Sequence, residues 1–208
     1  MFITLEGPEG GGKTLAAAFL VEWLRTSGRS VLALREPGGT PLGEAVRSLI
    51  LHGPEQPLPV ASLLLFSAAR AELVGRLVAP ALAAGEIVVC DRFTDSTLAY
   101  QGYGEGLPLA SVEQANALAT GGLRPDITIL LDLEPAVGLA RRAASGQWDQ
   151  MDGRALDFHT RVRAGFRELA AADPARWRIV DASAPPATVQ QEVLAALTAH
   201  PRWDGRAH

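Results

Sequence analysis

The sequence predicts an α/β protein built on a five-stranded parallel sheet with helices on both faces. Three observations carry this expectation. Short β-rich runs alternate with longer helical stretches, the order that crossover helices impose on a parallel sheet. Several of the runs are apolar almost without interruption, as strands buried on both faces require; Ile87-Val88-Val89-Cys90 and Ile127-Thr128-Ile129-Leu130-Leu131 are examples. The 208-residue chain is 48% apolar and 20% charged, which suits one compact domain with a sizeable core.

The elements follow in order. Phe2 to Glu6 reads as the first strand, and a glycine-rich turn leads from it into a helix over 13–27. Ser30 to Arg35 is the second strand, and Glu36-Pro37-Gly38-Gly39 forces a sharp turn before a helix over 42–51. A long helical pattern covers 59–84, where Pro80 kinks or ends the helix that Gly85 stops. Glu86 to Cys90 is the third strand, followed by helices over 95–101 and 109–120. Ile127 to Leu133 and Trp177 to Val180 complete the sheet, with helices over 135–144, 155–172 and 186–199. The domain is expected to span 1–200. Ser145 to Gly153 is a polar segment bounded by glycines, suited to a lid, and its Trp148 is expected to pack against the closed body. Residues 201–208 show no periodic pattern and are expected to fray.

Charge and cysteine usage exclude several function classes. Nineteen basic against 23 acidic residues give a formal charge of −4, so there is no global basic field for a nucleic acid or an anionic membrane; a small anion held locally stays compatible. The lone Cys90 rules out an internal disulfide and a cysteine-built zinc site. No apolar run reaches the roughly 18 residues of a membrane span, and no basic, apolar leader opens the chain. These features together predict a cytoplasmic protein. One bias stands out: 18 of the 19 basic residues are arginine, and the exception, Lys13, lies in the glycine-rich turn. A compact ammonium on a flexible stem does something there that a planar guanidinium does less well.

That turn, Gly7-Pro8-Glu9-Gly10-Gly11-Gly12-Lys13-Thr14, fits G-x-x-x-x-G-K-[ST] between a strand and a helix. Glycines let successive backbone N–H groups face phosphate oxygens, and the following helix presents its positive end. Lys13 reaches the β- and γ-phosphates of a nucleoside triphosphate, and Thr14 can place its hydroxyl on Mg²⁺. Asp91, at the carboxyl end of the third strand, suits the same ion through water. A guanine-reading Asn-Lys-x-Asp motif is impossible because Lys13 is the only lysine, which argues against a small GTPase. The chain offers instead arginines beside strand ends or glycine turns: Arg35, Arg47, Arg70 and Arg92. Two anionic substrates that must meet need such clamps.

Phe66 and Arg70 are four apart on one helix, so an aromatic ring and a guanidinium point the same way, which suits a pyrimidine. Ser96 and Tyr100 share that spacing, with Gln101 next. Alone these could be ordinary helix residues. Taken with Arg35-Glu36-Pro37-Gly38-Gly39-Thr40, Phe66-Ser67-Ala68-Ala69-Arg70, Asp91-Arg92-Phe93 with Ser96, Tyr100-Gln101-Gly102 and Arg124-Pro125-Asp126, the chain resembles bacterial thymidylate kinases over nearly its whole length. The resemblance implies a P-loop kinase fold, usually homodimeric, that transfers the γ-phosphoryl of ATP to dTMP with Mg²⁺. It implies that Phe66, Arg70, Ser96, Tyr100 and Gln101 hold the base and deoxyribose, the tyrosine excluding a ribose hydroxyl. It further implies that Arg35, Glu36 and Pro37 border the dTMP site, that Arg47 and Arg92 clamp the acceptor phosphate, and that Glu9 faces the acceptor sugar or metal. The alternatives are a kinase for another nucleoside monophosphate or a deoxynucleoside, and a nucleotide-gated binding or regulatory module that hydrolyses slowly without an acceptor.

The match weakens at the lid. Thymidylate kinases carry a catalytic arginine either in the phosphate loop or in the lid, and because Glu9-Gly10-Gly11 has none, the resemblance implies that the lid supplies the catalytic cation. Ser145 and Gln150 stand where many relatives have arginine, which leaves Arg141, Arg142 and Arg154, with the first two favoured for their place on the helix entering the lid. His52, His159, His200 and His208 show no paired spacing and are assigned no role.

Overall fold

A computed structural model of the chain describes residues 1–146 and 148–203. Five strands, β1 (Phe2–Glu6), β2 (Val31–Arg35), β3 (Ile87–Asp91), β4 (Ile127–Asp132) and β5 (Trp177–Asp181), form one sheet in the order β2-β3-β1-β4-β5. All neighbouring pairs are parallel. The helices are α1 (Lys13–Thr26), α2 (Pro41–His52), α3 (Pro59–Leu73), α4 (Ala79–Ala83), α5 (Thr94–Thr97), α6 (Leu109–Thr120), α7 (Pro135–Ser145), α8 (Leu156–Ala172) and α9 (Pro186–Thr198).

The sheet is buried on both faces, as the apolar runs require. Ile3 and Leu5 of β1 pack with Ile127, Ile129 and Leu131 of β4 beneath α1 and α9. On the other face, Phe2, Val88 and Cys90 pack with Leu73 and Val78, and Leu130 packs with Phe158, Val162 and Phe166 of α8. Because β1 is central, the turn that follows it opens above the middle of the sheet, between the carboxyl ends of β3 and β4. That is where open α/β sheets bind ligands.

Two stretches differ from the sequence expectation. The helical run over 59–84 is continuous in path but widens to a π-helical turn at Val74–Val78, with Ala79 N–H donating to the Val74 carbonyl. Pro80 has no N–H to give, and its ring excludes the carbonyl four residues back, so the preceding turn opens. The expected 95–101 helix divides into α5 and a second π-helical segment, Leu98–Gly104, with Glu105 N–H reaching back five residues to Tyr100. Such widened turns recur at functional sites. After α9 the chain turns back onto α1: the Trp203 ring lies 5.7 Å from that of Trp23, with the Arg29 guanidinium 5.3 Å above the Trp203 ring. Residues 204–208 lie outside the described residues. Among the described residues no helix is long and apolar enough to cross a membrane.

Candidate active site

The glycine-rich turn is locked by its surroundings. Gly7 has φ 140°, and a Cβ there would come within 2.4 Å of the Leu131 carbonyl oxygen of β4. Gly10 has φ 68°, and its Cβ would lie 2.3 Å from the Gly138 carbonyl oxygen of α7. The contact is mutual, for a Cβ on Gly138 would meet the Glu9 carbonyl oxygen at 2.1 Å. The loop is therefore seated between β4 and α7 with no room for a Cβ at Gly7 or Gly10, and α1 presents its N-terminus immediately behind it. Lys13 opens α1, is nearly buried, and donates from Nζ to the Pro8 carbonyl across the loop at 2.7 Å. Burial, and then the neighbouring Arg92, lower its amine to about 8 against the opposing pull of Asp91, Glu9 and Glu6.

At the end of β3, Thr14 Oγ1 donates to Asp91 Oδ2 at 2.8 Å. A hydroxyl and a carboxylate side by side, both oxygen donors, fit Mg²⁺, which takes few protein ligands and keeps the rest of its shell for phosphates and water. Arg92 follows in the left-handed region (φ 72°), the one non-glycine residue there among the described residues. Its guanidinium donates to the Gly7 carbonyl (3.0 Å), Ser96 Oγ (3.1 Å) and Tyr100 Oη (3.1 Å), and lies 4.9 Å over the Tyr100 ring. Left-handed backbone costs about 1–3 kcal/mol and persists where surrounding contacts over-determine it.

Glu6, the last residue of β1, is a site feature that the sequence did not single out. It is fully buried and accepts from the backbone N–H groups of Phe93 (2.8 Å) and Ser96 (3.3 Å) and from the Ser96 hydroxyl. Burial, reinforced by the nearby Asp95, pushes its carboxyl up to about 8. It ties the strand before the phosphate loop to the segment carrying Arg92 and Ser96.

The other predicted residues gather across the loop. Arg70 is 2% exposed and spends its nitrogens on protein: Nε on Glu36 (2.8 Å), Nη1 on Asn116 (2.7 Å) and Nη2 on the Phe93 carbonyl (3.1 Å). It buttresses the cavity wall as well as lining it. The Glu36 carboxyl is raised by burial, against the pull of Arg70. Arg47 donates to the Pro37 carbonyl at 3.0 Å, and Arg35 pairs with Glu44 at 3.1 Å. Phe66 is half-buried, Gln101 is buried and donates to Ser62, and Tyr100 packs edge-on against Phe158 and Phe166. Tyr100 thus belongs to the core through its ring and to the site through its hydroxyl, which donates to Glu9 at 2.5 Å.

Over the cavity, Arg141 donates to the Ala182 carbonyl (2.8 Å) and more weakly to Gly10 (3.4 Å) and Ser183 (3.3 Å). Arg142 makes a two-pronged pair with Asp152 and a further contact with Asp149. Arg154 pairs with Glu105 at 3.2 Å and lies over the Phe158 ring, away from the cavity lining. Gln150 donates to the Gly53 carbonyl, its own carbonyl accepts from Gln56, and Met151 packs against the α2–α3 cluster. Trp148 is half exposed, not packed against the body as expected, while the backbone after it is held by the Asp149 N–H donating to Asp152 and the Gln150 N–H donating to the Leu51 carbonyl.

A cavity of about 460 Å³ lies between the phosphate loop, the acceptor-side residues and α7. Its walls hold Glu9, Gly10, Gly12, Lys13 and Thr14 on one side and Arg35, Glu36, Arg47, Phe66, Arg70, Ser96, Tyr100 and Gln101 on the other, with Asp91 and Arg92 between them and Arg141 and Arg142 above. Gly7, Pro8, Gly11 and Pro37 shape the backbone behind the lining. Seven lining side chains are cationic and four acidic, an excess of positive charge in a chain whose net charge is −4. Local positive potential in a concave site gathers anionic ligands.

The thymidylate kinase family model matches residues 5–193. The chain belongs to the thymidylate kinase family. A thymidylate kinase of Synechococcus sp. (strain JA-2-3B'a(2-13)) is 57% identical over 189 residues, covering 91% of this chain and 90% of that protein. One of Deinococcus radiodurans is 50% identical over 198 residues, covering 95% and 96%. The crystal structure of the thymidylate kinase from Ehrlichia chaffeensis superposes with a TM-score of 0.76 at 36% identity, covering 95% of this chain and 98% of that one. Members of the family phosphorylate dTMP to dTDP using ATP. The chain is accordingly an enzyme of kinase type on the P-loop fold.

Proposed function

We propose that the cavity binds ATP at the phosphate loop and dTMP opposite it, and transfers the γ-phosphoryl between them. A phosphate oxygen of dTMP attacks the γ-phosphorus, the bond to the β,γ-bridging oxygen breaks, and dTDP and ADP result. The observation that carries this reading is the joining of two anion-binding halves in one cavity. Phosphoryl transfer asks little of a general base and much of positioning and charge stabilisation.

In this reading the loop amides of Gly7 to Gly12 and Lys13 hold the ATP phosphates. Arg47 and Arg92 clamp the acceptor phosphate, while Arg35, Glu36 and Pro37 border it. Phe66 stacks on the thymine, Arg70 and Gln101 address its edge, Ser96 and Tyr100 lie at the deoxyribose, and Glu9 faces the acceptor sugar. Thr14 and Asp91 would hold Mg²⁺, which supplies charge neutralisation to the phosphates when bound. Residues 145–153 work as a lid, and Arg141 or Arg142 supplies the cation that the phosphate loop lacks; Arg154 is disfavoured because, unlike those two, it does not line the cavity.

The fully active form is a homodimer. Supporting this, Val60 and Leu64 of α3 are more than half exposed and Leu118 of the adjoining α6 is 88% exposed, an apolar strip suited to a second copy. A cytoplasmic setting fits the single cysteine, Cys90, free and buried. An ADP-release assay across dTMP, dUMP, dCMP, dAMP and thymidine tests the proposal. Turnover dominated by dTMP supports it, and dominance of another acceptor, or ATP turnover indifferent to all of them, refutes it.

A further inference from the structure

Glu9, the only acidic side chain of the phosphate loop, has its two carboxylate oxygens facing different partners. Oε1 accepts from Tyr100 Oη and, in a longer ion pair of 3.4 Å, from Arg92 Nη2. Oε2 faces Nδ1 of His159 at 3.3 Å. His159 comes from the first turns of α8 and is 1% exposed, with the Phe158 ring edge-on at 5.3 Å. The contact is not aligned as a hydrogen bond, and neither imidazole nitrogen has a hydrogen-bond partner among the described residues. An imidazole buried on these terms is costly, and an apolar ring would fill the same space without that cost. What the imidazole offers that an apolar ring does not is an N–H edge opposite a carboxylate.

The surrounding charges show why such an edge is useful. Lys13 and Arg92 both attract Glu9, and both are cations that the phosphates of the two substrates need. Oε1 already pairs with Arg92 at 3.4 Å, and a Glu9 free to turn would bring Oε2 onto the same guanidinium and neutralise it more fully. We infer that His159 is a positioning residue that holds Oε2 of Glu9 on the α8 side of the cavity, and so keeps Arg92 available to the acceptor phosphate. The inference rests on reading Glu9 and Arg92 as facing dTMP.

The test is steady-state kinetics on the full chain for wild type, His159→Phe, His159→Gln, Glu9→Gln and the double variant His159→Phe with Glu9→Gln, alongside thermal unfolding. Dependence of wild-type turnover on dTMP is scored first, so that failure of the functional reading is seen separately. Given that activity, His159→Phe is expected to raise KM for dTMP about tenfold or more while KM for ATP stays within about twofold. His159→Gln, which restores an N–H, is expected to recover to within about threefold of wild type. In the Glu9→Gln background, where no carboxylate remains to collapse, His159→Phe should change KM for dTMP by less than about twofold. Should the phenylalanine variant not fold, His159→Leu, which has no N–H to offer Glu9, is read in its place. An unchanged KM for dTMP, equal rises for both substrates, equal failure of the glutamine variant, or additive losses in the double variant would each overturn the inference.

Discussion

Gly138→Ala separates local helix preference from site geometry. Gly138 lies in α7, where alanine is intrinsically better than glycine by about 0.8–1 kcal/mol. Against this, the new Cβ would stand 2.1 Å from the Glu9 carbonyl oxygen and 3.2 Å from its carbon. A relaxed C···O contact is about 3.4 Å, so helix and loop must part by roughly 1.3 Å. Overpacking of this kind costs about 1–3 kcal/mol, which leaves a net stability change between about zero and 2 kcal/mol. For a chain of this size that lowers Tm by no more than about 8 °C. Catalysis is hit harder, because the part that moves is the phosphate loop relative to the helix carrying Arg141 and Arg142. A misplacement of about 1 Å typically costs about a hundredfold in rate. The assay is kcat at saturating ATP and dTMP, with Tm from calorimetry on the same samples. A variant with kcat within about threefold of wild type and a raised Tm would show that α7 does not set the loop.

The remaining expectations follow from the same geometry. Lys13→Ala should largely abolish turnover while circular dichroism and Tm stay near wild type; near-normal turnover in the folded variant removes Lys13 from the phosphate site. Tyr100→Phe should lower kcat/KM for dTMP by about tenfold through the lost bond to Glu9, whereas Tyr100→Ala should also cost about 3–5 kcal/mol of stability, since its ring packs between Phe158 and Phe166. Comparing ribothymidine monophosphate with dTMP in any folded Tyr100→Ala preparation then reads sugar discrimination, and an unchanged ratio counts against a steric role. Glu6 is held protonated in the folded state to about 8, from 4.5, so its contribution to stability is complete below about 4.5 and is lost as pH rises through about 8. Tm should therefore decline between pH 5 and pH 9 less steeply in Glu6→Gln than in wild type, and parallel slopes would contradict this. Among the lid arginines, Ala at 141 or 142 should lower kcat about a hundredfold with KM for ATP little changed, while Arg154→Ala should act on Tm; three variants within about twofold in kcat would move the cation elsewhere.

Much of this was legible in the chain because the signals are local. Near-continuous apolar runs mark all five strands to within a residue or two, and the phosphate loop is a contiguous pattern whose glycines answer to left-handed backbone and backbone contact. The acceptor-side residues were legible mainly in combination: Phe66 and Arg70, or Ser96 and Tyr100, are unremarkable helix residues until read together with the family's other motifs. What the sequence hid is non-local. His159 has no partner at any recognisable spacing, because the carboxylate it faces lies 150 positions earlier. Gly138 reads as an ordinary helix glycine until the loop is laid against it. Arg70 looks like a surface cation four residues from an aromatic, yet Glu36 and Asn116 arrive from separate elements to bury it. The π-helical widening at Leu98–Gly104 has no proline inside it to announce it, and depends on how Tyr100 packs against α8.

The central claim is that one cavity brings two nucleotides together for direct transfer. Following the ³¹P NMR spectrum of a mixture of the enzyme, Mg²⁺, ATP and dTMP tests this most directly. Direct transfer predicts that the dTMP resonance is replaced by the two coupled resonances of dTDP in step with ADP, with no inorganic phosphate beyond background. Growth of inorganic phosphate with ADP while dTMP persists, at a rate indifferent to dTMP, would contradict it.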